Sequence, residues 1–320
     1  MSFITNIRSV AKYESKILVR SWFFRIFTLL AVVFLGFFNF AMMLMEDNFG
    51  LWFAKSVSSN IPYLNLLLLN TGQAVVAVFL SSEFLKRDKK LDTSEVFYVR
   101  PLSNAEYVIG KIWGNLRVFL LLNLLVLAIV LAFNFMASGV TVDLPAYLVY
   151  FFLISIPTLI FIIGLSIFLM LLLKNQALTF ILLLGYIGLT LFYIQDKFYY
   201  LFDYMVYNLP LFKSTIVGFS NLELILNHRA IYFFAGLGFI FFTIFLFKRL
   251  PNARRSHYPW LFLSFCMFLL MVTAGFRHVR SILREGEMRA LYTSINNKYV
   301  YEPKMAIDYY DISVEQKSET

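Results

Sequence analysis

Few residues in this 320-residue chain have a spacing that suits nucleotide chemistry. A phosphate-binding loop needs the pattern GxxxxGK[ST], in which glycine backbone and a lysine surround the phosphates. The Gly-Lys pair at Gly110–Lys111 is followed by Ile112, and Ala105 stands where the first glycine of the pattern would be. The sequence therefore predicts that this chain does not bind ATP through such a loop.

The histidines and the cysteine also lack the patterns of catalytic or metal-binding sites. None of His228, His257 and His278 belongs to the HExxH pattern of zinc peptidases, and the three are far apart in sequence. His257 and His278 flank opposite ends of one apolar segment, so we do not expect them to share a metal ion. Cys266 is the one cysteine, and we interpret it as a small buried hydrophobe. We predict loop or interface positions for the histidines and no catalytic, cofactor or metal site.

The composition indicates that the chain uses a bilayer as part of its solvent. Hydrophobic residues make up 60% and charged residues 15%, and the mean hydropathy is +0.73. Average soluble domains are about 45–50% apolar and about 25% charged. A soluble core could not cover so many large apolar side chains. These values exclude an ordinary soluble enzyme, a disordered tail and a disulfide-rich secreted module.

Seven segments are long enough to cross a membrane as helices, since about 20 apolar residues span the hydrocarbon core. We therefore predict an all-α polytopic membrane protein. The spans cover roughly residues 24–45, 61–80, 118–137, 147–173, 178–194, 231–247 and 258–276.

The distribution of Lys and Arg predicts the orientation of these spans. With the N-terminus in the cytoplasm, 17 basic residues lie on the inner side and only four lie outside before the C-terminal tail, namely Lys55, Lys197, Lys213 and Arg229. The net charge of +9 is thus explained by topology and anionic lipid, without nucleic acid. An odd number of spans places the tail outside, although Arg277, Arg280 and Arg284 follow the last span directly.

Polar residues inside the spans are amides rather than acids. No Asp or Glu falls within a span, which disfavours a proton-coupled pump. Buried amides either join helices or line a substrate path. The amides concerned are Asn39, Asn65, Asn70, Gln73, Asn123 and Asn134.

Two segments on the cytoplasmic side are predicted to be amphipathic. Residues 3–21 repeat apolar residues at helical spacing between basic ones, which is typical of a helix on the inner interface or of an extension of the first span. In the loop 83–116, Pro101 breaks the backbone pattern, and Ser103 with Glu106 forms an S-x-x-E capping box that begins a helix leading into the third span. That helix has a predicted apolar stripe from which Lys111 and Asn115 are excluded. The stripe consists of Val108, Ile109, Ile112, Trp113 and Leu116.

Two further segments lie on the outer side. Residues 195–230 are aromatic and interrupted by Pro210 and Gly218, so they form either a re-entrant or interfacial helix pair or a plain external loop. In residues 310–315, apolar and polar side chains alternate as in a β-strand. One strand cannot bury a face alone, so either the natural chain continues into an exported domain or this strand pairs with another chain.

The cytoplasmic loop resembles the signature of type-2 ATP-binding-cassette (ABC) permeases, which place a Pro-x-Ser turn and a Gly-Lys before the third span. The N-terminal Tyr13-Glu14 and Arg20-Ser21 are similar to the interface helix of that family. The resemblance covers about residues 1–250. In the loop it depends on Thr93-Ser94-Glu95, Arg100-Pro101-Leu102-Ser103, Tyr107 and Gly110-Lys111.

The resemblance implies a dimeric permease subunit of a bacterial inner membrane, most often an exporter, which moves a substrate with ATP hydrolysed by a separate cytoplasmic ATPase. It implies no cofactor in this chain, no nucleic acid partner and no enzymatic activity. The domains would be an interface helix (1–21), a six-span permease domain (22–250), an additional span (251–276) and an external tail (277–320). The ATPase would be contacted through Glu14, Thr93, Glu95, Pro101, Ser103, Glu106, Tyr107, Gly110 and Lys111.

Two other functions stay open at this point. The chain could be a membrane anchor or scaffold for an exported domain encoded beyond residue 320, because the seventh span and the tail depart from the family pattern. A membrane-embedded enzyme is disfavoured, since the sequence indicates no buried acid, histidine pair or nucleophile with its base.

Overall fold

The computed structural model describes residues 3–44, 59–87, 102–136, 142–194, 196–209, 211, 213, 218–219, 221–247, 258–302 and 309. The side chains of residues 82–87 are not included. Thr93, Glu95, Pro101, His257 and the predicted strand 310–315 lie outside the described residues. Residues Met1–Val279 form one compact unit, and Arg280–Thr320 are a second unit.

The described elements are eight long helices. Helix α1 is amphipathic, and each of α2 to α8 is long and apolar enough to cross a membrane. This confirms the predicted all-α, multi-pass membrane fold. The helices are α1 (Phe3–Arg20), α2 (Trp22–Leu44), α3 (Asn60–Arg87), α4 (Asn104–Met136), α5 (Leu144–Leu173), α6 (Gln176–Ile194), α7 (Leu222–Leu246) and α8 (Tyr258–Lys298).

Helix α1 is almost continuous with α2, because backbone hydrogen bonds run across Ser21. The Ser21 N–H donates to the carbonyl of Ile17 at 3.0 Å, and the Arg25 N–H donates to the carbonyl of Ser21 at 3.1 Å. The Arg25 side chain also donates to the Val19 carbonyl at 3.0 Å, which satisfies an acceptor at the end of α1. The N-terminal helix is thus both an amphipathic element and an extension of the first span.

Three helices extend beyond their predicted limits. Helix α4 begins at Asn104, so the predicted cytoplasmic helix and the third span are one helix of 33 residues, about 50 Å long. Helix α7 begins at Leu222 rather than at residue 231. This places Arg229 inside a helix, so its assignment to an external loop was wrong. Helix α8 has 41 residues, about twice what the hydrocarbon core requires.

Helices α3 and α5 are the most enclosed spans, whereas α2 and α8 expose most of their surface. In the most apolar 18 residues of each span, 67% of the residues are buried in α3 and 61% in α5. The corresponding share is 11% in α2 and in α8. Helices α5 and α7 cross most closely where Gly236 meets Ile160, since a Cβ added at Gly236 would lie 2.7 Å from the Ile160 backbone. Small residues allow this approach in membrane bundles.

Helix α5 contains a π-helical turn at Phe151–Ser155, directly before Pro157. Proline has no N–H, so Pro157 cannot donate to the carbonyl of Leu153 four residues earlier. A widened turn is a common response to such an interruption. The consequence is that backbone acceptors in the middle of a buried helix require donors from elsewhere.

In the described residues 196–209, between α6 and α7, the chain is not α-helical and part of it is buried. After a short 3₁₀ turn at Phe198–Tyr200, the chain becomes irregular, and Tyr204, Met205 and Val206 are almost completely buried. Irregular backbone at this depth is tolerated only where protein covers it. Here the Thr158 hydroxyl of α5 donates to the Tyr204 carbonyl at 3.2 Å, and the Tyr204 ring packs on Phe161.

The amides in the spans join helices, as the packing interpretation predicted. Gln73 of α3 donates to Asn70 at 2.6 Å, Asn123 of α4 donates to Gln73 at 2.9 Å, and Ser155 of α5 donates to Asn123 at 2.7 Å. Asn39 of α2 donates to Asn65 of α3 at 2.7 Å. Complementary buried amides satisfy one another in place of water.

Candidate functional site

Helix α4 begins with the predicted capping box. The Ser103 N–H donates to Glu106 Oε2 at 2.6 Å, and the Glu106 N–H donates to the Ser103 hydroxyl at 3.2 Å. These two bonds satisfy backbone donors that a helix start leaves free. Next to the box, Asn104 donates to the Phe247 carbonyl after α7 at 2.6 Å, and the Tyr107 ring stacks on Phe247. The start of α4 is therefore also held to the end of α7.

Two glycines allow α1 to lie directly against α4. A Cβ added at Gly110 would be 2.7 Å from Val10 Cβ, and one at Gly114 would be 2.8 Å from the Ala11 carbonyl oxygen and from Glu14 Cβ. Both distances are shorter than van der Waals contact, so any larger residue would push the helices apart. We call this contact the α1–α4 junction.

Polar side chains complete the junction. Lys111 Nζ lies 3.8 Å from Glu14 Oε2, with both side chains at most 5% exposed. Asn6 donates to Glu106 Oε1 at 2.8 Å, and Ser15 donates to the Gly114 carbonyl at 2.7 Å. Burial strengthens such interactions and makes each unpaired group costly. The junction is therefore a specific contact between two helices rather than a loose apolar one.

The buried surface of α4 is wider than the predicted stripe. Val108, Ile112 and Leu116 of the stripe are buried as predicted, whereas Trp113 is 46% exposed. Lys111 and Asn115, which lie away from the stripe, are buried as well, at 4% and 3% exposed. The face that meets α1 is set by the two glycines and the polar residues between them. An apolar-stripe argument misses this, because the close approach depends on small residues.

The family resemblance implies nine residues for contact with the ATPase, and those in the described part of the chain occupy two kinds of position. Glu14, Glu106, Tyr107, Gly110 and Lys111 are buried and come together near the junction. Ser103 is exposed at the start of α4. Thr93, Glu95 and Pro101 lie outside the described residues. The structure thus brings five of the nine into one region of packed helices.

A second polar cluster surrounds Arg229, which sequence reasoning placed outside. The Arg229 guanidinium is 2% exposed and donates to the Leu153 carbonyl at 2.6 Å and to the Thr158 hydroxyl at 2.8 Å. It also donates to the Tyr204 carbonyl at 2.9 Å. Pro157, four residues after Leu153, has no N–H to donate to this carbonyl, and the Arg229 guanidinium donates to it.

The buried loop beside Arg229 is shaped by Asp203. Its two carboxylate oxygens accept from the backbone N–H groups of Tyr207 and Asn208, each at 2.8 Å. Burial raises the pKa of the Asp203 carboxyl above its ordinary value, and the two N–H donors oppose that rise. Asp203 therefore stabilises the turn that delivers the Tyr204 carbonyl to Arg229.

The structure places two of the three histidines next to each other on buried helix faces, where we predicted loop or interface positions. His228 of α7 and His278 of α8 are both fully buried, and their ring centroids are 5.1 Å apart. Nε2 of His228 lies 3.0 Å from the Tyr200 carbonyl, and Nε2 of His278 lies 2.9 Å from the Tyr199 carbonyl. The sequence separation of 50 residues gave no signal of this pair.

A partly open cleft lies between α2, α3 and α4. Its polar lining consists of Asn39, Asn65 and Asn134 among aliphatic, aromatic and methionine side chains. Asn134 donates to the Tyr147 hydroxyl at 3.0 Å, while its buried Oδ1 has no hydrogen-bond partner. The lining of this cleft therefore combines apolar surface with an amide acceptor.

Comparisons with protein-family models, with curated proteins and with solved structures give no match for this chain. Among the described residues, no group of three or more His, Cys, Asp or Glu side chains is placed to hold a metal ion.

Proposed function

We propose that this chain is the membrane-spanning permease subunit of an ABC transporter, which moves a substrate with ATP hydrolysed by a separate cytoplasmic ATPase. The observation that carries the proposal is the α1–α4 junction. The two segments that resemble the ATPase-coupling region of type-2 permeases are distant in sequence, yet they pack as one unit through Gly110 and Gly114.

The junction is suited to receive force because it is attached to a long helix. Helix α4 continues without interruption from Asn104 to Met136, so a push on its cytoplasmic start moves its membrane part as well. Inside the membrane, α4 is bonded to α3 and α5 through Asn123. Displacement of the junction would therefore tilt several spans together and shift the bundle between two packings.

In this proposal, the buried residues and the exposed residues have different roles. Glu14, Glu106 and Lys111 hold α1 against α4, while direct ATPase contact falls to exposed side chains nearby. On α1 these include Arg8, Lys12 and Lys16. The N-terminus would be cytoplasmic, in a bacterial inner membrane, and a second permease subunit would complete the pathway. The amide-lined cleft supports an amphipathic substrate.

The test is co-purification of the cognate ATPase from native membranes, followed by measurement of its ATP hydrolysis. We expect stoichiometric ATPase with the wild-type chain. Gly114→Leu should separate α1 from α4 and uncouple hydrolysis, with at least a tenfold loss of stimulation. Gly188→Leu is the matched control, because a Cβ at Gly188 meets nothing within 4 Å.

Two results would overturn the proposal. The first is the absence of any ATPase bound to the wild-type chain in native membranes. That result would favour a membrane anchor for an exported domain, a function to which the long helix α8 is also suited. The second is unchanged coupling in Gly114→Leu, which would remove the junction from the mechanism.

A further inference from the structure

We propose that the cleft between α2, α3 and α4 binds a neutral membrane lipid of the diacylglycerol class, whose free hydroxyl donates to Asn134. This site is separate from the α1–α4 junction, and its binding can be measured without an ATPase. Only a role of this lipid as the transported substrate rests on the proposed transport function. The binding site itself depends on one buried amide oxygen in an otherwise apolar lining.

The three amides in the lining differ in whether their oxygens have donors. Asn39 donates to Asn65 at 2.7 Å, and Asn65 donates back to Asn39 at 3.1 Å. Asn134 is 1% exposed and donates to the Tyr147 hydroxyl at 3.0 Å, but its Oδ1 has no hydrogen-bond partner. A buried acceptor without a donor is costly. A ligand with an O–H or N–H group therefore gains a hydrogen bond that the protein leaves unmade.

The other side chains of the lining favour an uncharged ligand. They are all apolar and half-buried, and none of the nine described lining residues is Asp, Glu, Lys or Arg. A charged headgroup would lose its hydration here without gaining a counter-ion. The apolar members are Phe38, Met42, Met43, Ile61, Leu64 and Phe133.

A lipid hydroxyl fits this lining better than a single water molecule does. A buried water makes about three hydrogen bonds, whereas in the described lining the Oδ1 of Asn134 is the side-chain acceptor without a donor. A lipid hydroxyl requires only that one acceptor, because its acyl chains gain from contact with the apolar walls. Diacylglycerol is uncharged and joins one free hydroxyl to two acyl chains, so it has the combination that the cleft requires.

The position of the cleft along the helices matches the depth of a lipid hydroxyl. Asn134 is two residues before the end of α4 at Met136, and Ile61 is the second residue of α3. Met43 is next to the last residue of α2. The cleft therefore lies at the ends of three membrane helices, where lipids carry the polar groups that join their chains.

Helix α2 leaves the cleft accessible from the bilayer. Its Phe34, Phe37 and Phe40 side chains are exposed, so this helix borders lipid over much of its length. Near the cleft it is joined to α3 through the buried Asn39. A lipid can therefore reach the Asn134 amide sideways, along the half-buried apolar walls.

The experiment compares two ligands that differ only in the hydrogen-bond donor. Binding of dioleoylglycerol and of its methyl ether to the purified chain in detergent is titrated by native mass spectrometry. The ether keeps both acyl chains but has no O–H group. We expect the wild type to bind the ether about fivefold more weakly than the alcohol, since a net hydrogen bond contributes about that much to affinity. Asn134→Leu should bind both lipids with the weaker affinity.

Two further variants separate lipid binding from a structural role of Asn134. Tyr147→Phe breaks the same Asn134–Tyr147 hydrogen bond as Asn134→Leu does but keeps the amide, so it should still prefer the alcohol. Phe135→Leu changes the next residue of α4, which is exposed and lies outside the cleft lining, and it should bind as the wild type does.

Three results would overturn the proposal. The first is wild-type protein that binds neither lipid or binds both equally well. The second is a preference for the alcohol that persists in Asn134→Leu, and the third is loss of that preference in Tyr147→Phe. Each of these results leaves ATPase co-purification unaffected, so the lipid site and the permease function can fail separately.

Discussion

Lys111 and Arg229 are both almost fully buried cations, but the protein stabilises them by different means. Lys111 at the α1–α4 junction lies 3.8 Å from the Glu14 carboxylate and 4.9 Å from the centre of the Tyr107 ring. Arg229 instead donates to neutral oxygens of α5 and of the buried loop. One site uses an opposite charge, and the other uses neutral carbonyl and hydroxyl oxygens.

The comparison shows what each charge requires of its surroundings. An ion pair requires one partner at the right position and a close approach, which Gly110 and Gly114 provide. A guanidinium solvated by carbonyls requires several backbone segments to converge, because each acceptor contributes only a partial charge. We therefore expect the Arg229 site to depend on the whole bundle and the Lys111 site to depend on two helices.

The largest effect should come from Arg229→Ala. The change removes the Arg229 donor from the buried Leu153 carbonyl and one of the two side-chain donors of the Tyr204 carbonyl, and each buried group left unsatisfied costs about 1–3 kcal/mol. We expect a total loss of about 3 kcal/mol or more, measured as a lowered midpoint of thermal unfolding in detergent. Arg229→Lys should fall between wild type and Ala, since an ammonium lacks the planar fork that reaches several acceptors.

Arg25→Ala is the matched control for that experiment. Arg25 is exposed, although it also donates to a backbone carbonyl, that of Val19. Water can replace its hydrogen bond, so the midpoint should change little. Equal unfolding midpoints for Arg229→Ala and Arg25→Ala would contradict the view that the fold depends on the hydrogen bonds that Arg229 donates to buried acceptors.

The same contrast explains which parts of the fold could be predicted from sequence. The seven spans follow from apolar runs, and the capping box of Ser103 and Glu106 follows from a four-residue pattern, because both are local signals. The amphipathicity of α1 was equally local. Even so, the buried surface of α4 was predicted only in part, because the role of Gly110 and Gly114 depends on what lies opposite them.

The polar cluster around Arg229 could not be predicted in the same way. Arg229 was assigned to a loop because its neighbours in sequence are polar, while its acceptors come from residues 153, 158 and 204. The only local signal was Pro157 in the middle of an apolar helix, which indicates an unsatisfied carbonyl but not the donor. The pairing of His228 with His278 depends on how α8 docks, and no short pattern encodes that.

An intermediate effect is expected from a double-mutant cycle at the junction. Lys111→Met alone leaves the Glu14 carboxylate buried without its cation, so we expect a loss of about 2–3 kcal/mol. Glu14→Gln alone removes the carboxylate beside the buried ammonium. The double variant should lose less than the sum, with a coupling energy of about 0.5–3 kcal/mol. Thermal unfolding of the four proteins provides the measurement, and strict additivity would show that the 3.8 Å pair is not an energetic unit.

The smallest effect should come from Ser103→Ala at the start of α4. Loss of the hydroxyl removes one of the two bonds of the capping box, and N-cap replacements cost about 1 kcal/mol. Because α4 is long and packed along its length, that loss should appear as local fraying rather than as global unfolding. Hydrogen–deuterium exchange of the first turn should therefore be faster in Ser103→Ala, while the thermal midpoint stays nearly unchanged.

Two further variants decide whether that fraying reflects the cap or the junction. Ser103→Thr keeps a hydroxyl acceptor and should exchange as the wild type does. Asn175→Ala removes the side-chain cap of α6, which accepts from Leu178 at 3.2 Å, at a helix start that is more exposed than that of α4. If packing on α1 limits the fraying, exchange should increase more at α6 than at α4. An equal increase at both helix starts would mean that the capping box, and not the contact with α1, holds the beginning of α4 in place.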